Sequence, residues 1–269
     1  MRYSICISYD GAEFCGWQIQ PSAPSVQQCL EGALSRLLNR PVSVTGAGRT
    51  DTVVNAFGYI AHFDIEGELP FTQTDLCYKL NAILPRSVAV LQVLPVADDF
   101  HARYNARRRE YTYFIHRQKD PFVRHYSWQC GYPELDFDAM NTACRYLLGT
   151  HDFSCFEKTG TDVKTSVCTI HEAFWKPYTP SHLLIMPSCH SELSSCHSER
   201  SEESDYWYFR VAADRFLRNM VRAIVGSLIE VGRGKQSPEW ISELIENGTR
   251  SEAGESVPGH ALFLSKVKY

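Results

Sequence analysis

The sequence lacks any run of about 18 consecutive apolar residues, the minimum for a helix that crosses a bilayer. Its first residues, MRYSICISYDG, alternate between apolar and polar side chains and lack the apolar core of a secretory signal peptide. With 44% hydrophobic and 22% charged residues, the composition is that of an ordinary globular protein. We therefore expect no membrane segment and a location in the cytoplasm.

The sequence also lacks a C-x-x-C pair. Its ten cysteines are scattered through predicted strands and helices, which favours reduced and mostly buried thiols over disulfides. The segment CHSELSSCH, residues 189–197, brings Cys and His close together, and a metal site there is the less favoured alternative because the segment is low in complexity.

Strong net charge of either sign is absent, and the formal value of −4 argues weakly against a nucleic-acid partner. Residues 181–205 account for that excess, because they carry five carboxylates against one arginine. The rest of the chain is neutral overall, and its cations cluster in ARRRE and DRFLRNMVR. A local basic patch of this kind can bind phosphate whatever the total charge is.

Hydrophobic periodicity predicts an α+β fold, because strand-like alternation and helical spacing follow one another along the chain. Tyr3–Tyr9 alternates as a strand, and a helix follows with Ser25 as its N-cap. A similar order of elements recurs later, which predicts two α+β halves, residues 1–105 and 106–269. Within the second half, residues 187–205 are rich in Ser, Glu and His and predict a mobile hairpin insertion.

Two helices are predicted near the end of the chain. The apolar spacing from Phe216 to Ile229 predicts a long amphipathic helix that ends at Gly232. The segment SPEWISELIEN predicts a second helix with Ser237 as N-cap and Pro238 in its first turn.

The segment TGAGRTDTVVNAFG, residues 45–58, holds the densest chemistry. Asp51 follows a glycine turn and precedes a strand, which can hold its carboxylate at a fixed, partly exposed place. A catalytic carboxylate that stays ionised away from water needs a nearby cation. Arg49 is close in sequence, although strand alternation can point it elsewhere. A hairpin with an ordinary Arg–Asp surface pair is the simpler alternative.

Two arginine-rich segments predict contact with phosphate. Arg215, Arg218 and Arg222 are spaced by three and four residues, so they form one cationic stripe on the predicted helix. Arginine suits bidentate contact with phosphate or carboxylate, and a solvated helix face is the alternative.

The segment FHARYNARRREYTYF, residues 100–114, interleaves arginine with aromatic residues. Such a mixture favours RNA, since arginines meet phosphates and tyrosines stack on bases. The alternative is a strand with a polar edge. The candidates are Arg103, Arg107, Arg108 and Arg109 for phosphate, and Tyr104, Tyr111 and Tyr113 for bases.

Five segments of the sequence resemble the tRNA pseudouridine synthase A family in their order and spacing. They are GRTD, FHAR, RREYTYFI, FLRNMVRAIVGSL and a terminal GHALFLSKVKY. The resemblance covers nearly the whole chain, apart from residues 187–205. The resemblance implies two pseudo-symmetric, ferredoxin- or RRM-like α+β halves that form a continuous, mostly antiparallel sheet flanked by helices, with a central catalytic cleft. It implies a homodimer that grips the anticodon stem-loop of tRNA, and neither cofactor nor metal.

The resemblance also implies roles for individual residues. Asp51 resembles the catalytic aspartate, and Arg49 the arginine beside it that helps to displace the target nucleotide. Tyr111 resembles the tyrosine that stacks on the target uracil, and Arg222 the arginine that pairs with the catalytic carboxylate. The implied reaction isomerises uridine to pseudouridine at tRNA positions 38, 39 and 40. Further substrate contacts are predicted for Arg103, Arg107 and Arg218.

The chain departs from the family pattern G-R-T-D-[AT]-G-V-[HN]-A at Val53, which stands where the family has glycine. If that position needs a positive φ, a β-branched residue strains the loop by roughly 1–3 kcal/mol. If it needs only a small residue, Val53 clashes with the substrate. A tRNA-binding protein of the same fold without catalysis is therefore the second hypothesis.

A hydrolase that uses Asp51 as a nucleophile ranks behind both, because a second carboxylate or a metal cluster at recognisable spacing is lacking.

Overall fold

The computed structural model describes residues 1–160, 165–180 and 204–269, and these form one ten-stranded sheet flanked by five α-helices. The main path of the sheet runs β4-β1-β3-β10-β5-β9-β8-β7, with β2 paired to β3 and β6 paired to β5. The strands are β1 Arg2–Tyr9, β2 Val44–Gly46, β3 Asn55–Asp64, β4 Val88–Val96, β5 Arg108–His116, β6 Trp128–Gln129, β7 Gly149–Asp152, β8 Val167–Pro177, β9 Tyr206–Ala213 and β10 Leu262–Lys268. The predicted α+β class is confirmed.

Neighbouring strands are antiparallel except in two places, where β10 runs parallel to β3 and β6 runs parallel to β5. Strands β1 to β4 occupy one end of the sheet, and β5 to β9 occupy the other. The last strand, β10, lies between the two groups, beside β3 and β5. The boundary at residue 105 remains a prediction.

The helices are α1 Val26–Leu38, α2 Gln73–Ile83, α3 Phe137–Tyr146, α4 Met220–Gly232 and α5 Trp240–Asn247. Short 3₁₀ turns occur at Gly11–Glu13, Ser154–Phe156 and Gly259–Ala261. Helix α1 begins as predicted, since the Ser25 hydroxyl accepts the backbone N–H of Gln28 at 3.2 Å.

The long helix near the end of the chain starts later than predicted. Asn219 adopts the left-handed conformation, with φ 65°, and α4 begins only at Met220. Arg215 and Arg218 consequently lie in the loop before the helix, and the predicted cationic stripe with Arg222 does not form. The prediction failed because spacing alone does not reveal a left-handed residue inside a helical pattern.

Helix α5 also starts later than predicted. It begins at Trp240, with Glu239 as the N-cap residue, and no side chain caps it. Ser237 therefore lies outside the helix, two residues before its N-cap, because residues 238 and 239 form a turn.

One face of the sheet is buried beneath the helices. Along β1 every second residue is buried, and the same face continues through Tyr113 and Phe209. Helix α3 packs on this face, where the Phe137 ring stacks on Trp207 with 3.6 Å between ring centroids. Buried side chains from both ends of the sheet form one continuous core.

The other face of the sheet is partly exposed, and we refer to it as the open face. Its N-terminal end has a hollow of about 180 Å³ lined by Cys6, Ile60, Leu94 and Tyr269, among others. Near the middle, Phe57 stacks on Phe263 with ring centroids 4.5 Å apart, although half of Phe57 is exposed. An ion-pair network crosses this face and joins Arg108, Glu110, Glu172 and Arg210.

Within the described part of the chain, all eight cysteines are free, four of them buried and four partly buried. None of the helices there is long and apolar enough to cross a membrane. The predicted insertion at 187–205 and the Cys–His segment at 189–197 lie outside the described residues, apart from the last two residues of the insertion.

Candidate active site

The loop between β2 and β3, residues 47–54, presents Asp51 at the surface of the helix-bearing face. Thr50 is buried, and its hydroxyl is hydrogen-bonded to the Tyr9 hydroxyl at 2.9 Å. This inward anchor turns its two neighbours outward, so that Arg49 is exposed and the Asp51 side chain is 28% exposed. Arg49 and Asp51 therefore do not pair, although only one residue separates them.

An aromatic platform supports the beginning of this loop. The Trp17 ring stacks on Tyr59 at a centroid distance of 4.1 Å, and the Tyr59 hydroxyl donates to the backbone carbonyl of Gly48. A Cβ at Gly46 would lie 2.1 Å from the Tyr59 hydroxyl oxygen, so only glycine fits there. Gly46 thus allows the loop to approach the aromatic rings closely.

The loop continues in a tight turn that contains Val53. The Val54 N–H donates to the Asp51 carbonyl at 3.2 Å, and Val53 in the third position has φ 60°. This is the left-handed region that glycine adopts at little cost and that a β-branched residue rarely adopts. The family glycine at this position thus corresponds to a positive φ, as the first of the two interpretations required.

Asn55 fastens the end of the loop to both ends of the chain. Its Oδ1 accepts the Gly11 N–H at 2.8 Å, and its Nδ2 donates to the His260 carbonyl at 2.7 Å. A Cβ at Gly259 would lie 3.0 Å from the Thr52 carbonyl oxygen, so this 3₁₀ turn packs closely behind the loop. The position of Asp51 therefore depends on residues near 11 and near 260.

Among the described residues, Arg218 is the cation that pairs with Asp51. Its Nε lies 3.9 Å from Asp51 Oδ1, and the Arg218 side chain is 54% exposed. The resemblance implied that Arg222 makes this pair, but the Arg222 Nε instead donates to the Val257 carbonyl at 2.7 Å. The late start of α4 leaves Arg218 in the loop beside Asp51, whereas Arg222 is bound to the Val257 carbonyl, and the role that the resemblance implies for Arg222 remains a prediction.

Tyr111 lies on β5 on the same face of the sheet. It is 9% exposed, and its ring meets Phe216 edge to face at a centroid distance of 5.1 Å. Burial raises the pKa of the Tyr111 hydroxyl, and the negative charge of Asp51 raises it further. Tyr111 is therefore a neutral hydrogen-bond donor beside the carboxylate.

The arginines of the 100–114 segment divide into two groups. Arg103 and Arg107 are exposed, which leaves their side chains accessible to a phosphate. Arg108 is paired with Glu172 on the open face, and Arg109 points into the protein, where backbone carbonyls bind its guanidinium. The predicted phosphate contact is thus geometrically possible for the first two, whereas the charges of the last two are engaged elsewhere.

Two residues that build this site, Tyr9 and Tyr59, were not predicted, and Arg109 was predicted to contact phosphate rather than the backbone carbonyls that it binds. Strand alternation carries a signal for Arg109, since it shares its face of β5 with Tyr111 and Tyr113 and must point into the core. The hydroxyls of Tyr9 and Tyr59 carry no such signal, because their partners are 41 and 11 residues away in the sequence.

No cluster of three or more His, Cys, Asp or Glu side chains suited to a metal ion occurs in the part of the chain that the structure describes. What the site offers chemically is a carboxylate, a facing guanidinium and a neutral tyrosine hydroxyl.

A sequence profile described as tRNA pseudouridine synthase matches residues 5–105 and 143–269. A curated protein named tRNA pseudouridine synthase A from Parabacteroides distasonis is 45% identical, with all of this chain and 96% of that protein aligned. The chain belongs to the tRNA pseudouridine synthase family. Proteins of the same name from Bacteroides fragilis and Maridesulfovibrio salexigens are 44% and 38% identical over the whole chain, covering 96% and 90% of their lengths.

Members of the tRNA pseudouridine synthase family are isomerases. The two matched ranges contain Asp51, Arg218 and Arg222, whereas Tyr111 lies between them. The predicted family is thus confirmed, and the individual roles of these residues remain predictions.

Proposed function

We propose that this chain isomerises uridine to pseudouridine in the anticodon stem-loop of tRNA, with Asp51 as the essential carboxylate. The observation that carries the proposal is the pairing of Asp51 and Arg218 at 3.9 Å, with both side chains partly exposed at one surface. The guanidinium places a positive charge opposite the carboxylate, and the exposure of both side chains leaves room for a nucleotide.

The reaction needs few groups. The N1–C1′ bond of uridine breaks, the uracil turns, and a C5–C1′ bond forms, after which C5 loses its proton and N1 carries one. No electrons are exchanged with another molecule. Asp51 either attacks the nucleotide as a nucleophile or removes the sugar proton that starts release of the base.

Tyr111 and Arg49 take the supporting roles in this proposal. The flipped uracil would stack on Tyr111, which offsets part of the cost of leaving the helical stack, a few kcal/mol. Arg49, exposed two residues before Asp51, would occupy the place that the nucleotide leaves. Arg103, Arg107 and Arg218 would bind phosphates around the site.

The direct test is pseudouridine formation on unmodified tRNA transcripts, with wild-type protein beside Asp51→Ala and Asp51→Asn. We expect product from the wild type at positions 38, 39 or 40 and none from either variant. A variant that retains the wild-type rate would remove Asp51 from the mechanism. Tight tRNA binding without product from any protein would favour the second hypothesis, a binding protein in which Val53 has cost the activity.

Arg218 and Arg222 can be separated by the same assay. Arg218→Gln removes the partner of Asp51 from an exposed position, so we expect a lower rate with little change in melting temperature. Arg222→Gln removes the hydrogen bond to the Val257 carbonyl, so we expect a lower melting temperature. If only Arg222→Gln lowered the rate while its melting temperature stayed at the wild-type value, the result would support the pairing of Asp51 with Arg222 that the resemblance implies.

We further propose that a second copy of the chain covers the open face, forming a homodimer. Leu94 is 45% exposed there and Phe57 is 51% exposed. The ion-pair network on this face balances two arginines against two glutamates, so two copies can approach without net repulsion.

Sedimentation equilibrium tests the dimer with Leu94→Glu and a control, Tyr78→Glu, which alters an exposed residue on α2. We expect a monomer from the first variant only. A dimer that survives Leu94→Glu unchanged, or dissociation by both variants, would contradict this interface.

Action on tRNA would place the protein in the cytoplasm.

A further inference from the structure

We propose that Arg109 is the positioning residue that sets the geometry between Asp51 and Arg218, so that the rate of isomerisation depends on it. This inference rests on the proposed function, and it concerns a residue whose side chain faces the interior rather than the substrate. Its basis is the set of hydrogen bonds that the Arg109 guanidinium makes.

All five N–H donors of Arg109 bind backbone carbonyl oxygens. Nε and one N–H of Nη2 donate to Ala47 at 3.2 and 2.9 Å, and the other N–H of Nη2 donates to Arg103 at 2.7 Å. The two N–H groups of Nη1 donate to Asp214 at 2.7 Å and to Ala106 at 3.3 Å. Arginine has five donors in a fixed plane, so its capacity is used completely.

The carbonyls belong to the segments that carry the proposed site. Ala47 begins the loop that presents Asp51, and Asp214 begins the segment that ends with Arg218 before α4. Arg103 and Ala106 lie in the loop that leads into β5. A single guanidinium on the central strand β5 thus joins a loop from one end of the sheet to a loop from the other.

The chemistry of Arg109 is unusual for a partly buried cation. Its hydrogen bonds within the described residues go to backbone carbonyls and to no carboxylate, so peptide dipoles take the place of an ion-pair partner. Burial lowers the pKa of Arg109, which shows the cost of holding the charge there. Lysine cannot replace it, because an ammonium group places three donors at one point and cannot reach carbonyls on three segments.

The distance between Asp51 and Arg218 is sensitive to small movements of the two segments that Arg109 joins. At 3.9 Å, Asp51 and Arg218 are beyond hydrogen-bond distance, so a small displacement of either segment brings them together or parts them. Misplacing a catalytic group by about 1 Å lowers a rate by roughly 100-fold.

The experiment compares single-turnover pseudouridine formation and tRNA affinity in Arg109→Lys, Arg109→Gln and the wild type. We expect the rate at saturating enzyme to fall by about 10- to 100-fold, while the dissociation constant for tRNA changes by less than about threefold. The matched control is Arg117→Lys, because Arg117 also donates to two backbone carbonyls, those of Tyr132 and Pro133. It should lower the melting temperature without affecting the rate.

A second readout does not depend on activity. Trp17 stacks on Tyr59, which holds Gly48, so the fluorine NMR signal of fluorotryptophan-labelled Trp17 reports on the loop. We expect this signal to shift in the Arg109 variants and not in Arg117→Lys. A wild-type rate in a folded Arg109 variant, or an unshifted Trp17 signal, overturns the inference. If the wild type forms no pseudouridine, the proposed function fails and the Trp17 signal alone decides.

Discussion

Val53 holds a backbone conformation that suits glycine. With φ 60°, its β-branched side chain costs the loop about 1–3 kcal/mol, and the neighbouring Asn55 and Thr50 contacts keep the turn in place despite that cost. The strain sits two residues after Asp51, so it bears on the position of the proposed catalytic carboxylate.

The first prediction concerns this strain. Val53→Gly should raise the melting temperature, because removal of the strain exceeds the 0.5–1 kcal/mol or so that glycine costs in backbone entropy. It should also raise the single-turnover rate. The control, Val54→Ala, removes buried apolar surface one residue later and should only destabilise. An unchanged or lower rate for Val53→Gly would count against a strained loop that limits activity.

At the level of single residues, the sequence singled out Asp51 as a candidate and Val53 as a departure from the family pattern, because both lie in one contiguous motif. The partner of Asp51 was not predictable in the same way. It depends on the left-handed backbone at Asn219, which ends the helical pattern and leaves Arg218 in a loop. Long-range anchors such as Tyr9 with Thr50 leave no local pattern at all.

At the level of elements, helix α4 packs closely on the segment that follows α5. A Cβ at Gly226 would lie 1.8 Å from the Glu255 carbonyl oxygen, and the Ser227 hydroxyl accepts the Gly254 N–H at 2.8 Å. The helix backbone therefore packs directly on the 253–257 segment, which Arg222 also binds through Val257.

The second prediction follows from that contact. Gly226→Ala should destabilise the protein by about 3 kcal/mol, because the methyl group must displace backbone atoms. Gly32→Ala on α1 is the control, since nothing lies within 4 Å of its Cβ position. There alanine should stabilise by about 0.5–1 kcal/mol through helix propensity. Chemical denaturation measures both, and a similar effect at the two sites would refute the close packing.

The third prediction concerns pH and strand β3. His62 is buried, and its Nδ1 accepts the Ala102 N–H at 3.2 Å, which a protonated ring cannot do. Burial lowers the pKa of His62 below its ordinary 6.5. The unfolded chain therefore binds the proton first, so this contribution to stability is complete above pH 6.5 and is lost as the pH falls below it.

His62→Asn supplies an acceptor that does not titrate, so its melting temperature should fall less steeply between neutral and mildly acidic pH. His125→Asn, at an exposed position, should leave the slope unchanged. Identical slopes in all three proteins would show that His62 is not responsible for the acid sensitivity.

For the whole molecule, the exposed arginines predict how tRNA is held. Affinity should fall as salt rises, since cations on the protein replace the counterions of the RNA. Arg103→Gln should reduce the slope of log affinity against log salt by about one. Arg233→Gln should not, because Glu230 already neutralises Arg233 at 2.7 Å. An affinity that is flat with salt would contradict phosphate binding at these positions.

The α+β class was predictable for the whole molecule because nearly every long strand and helix has its own hydrophobic period. The order of the strands was not, since β10 pairs with β3 and with β5, whose residues lie far away in the sequence, as Phe263 with Asn55 and Leu262 with Tyr113 show. The geometry of the site could not be predicted for the same reason, because Asn55 and His260 meet only when β10 is in place.

The central position of β10 has a consequence for the order in which the protein is made. A ribosome releases residues 1–258 before the Gly259–Ala261 turn and the strand that follows it. Until then, β3 and β5 lack their shared neighbour, and the turn that carries Asp51 lacks the His260 carbonyl behind it. A chain that stops short of residue 259 therefore carries Asp51 on a loop without this support.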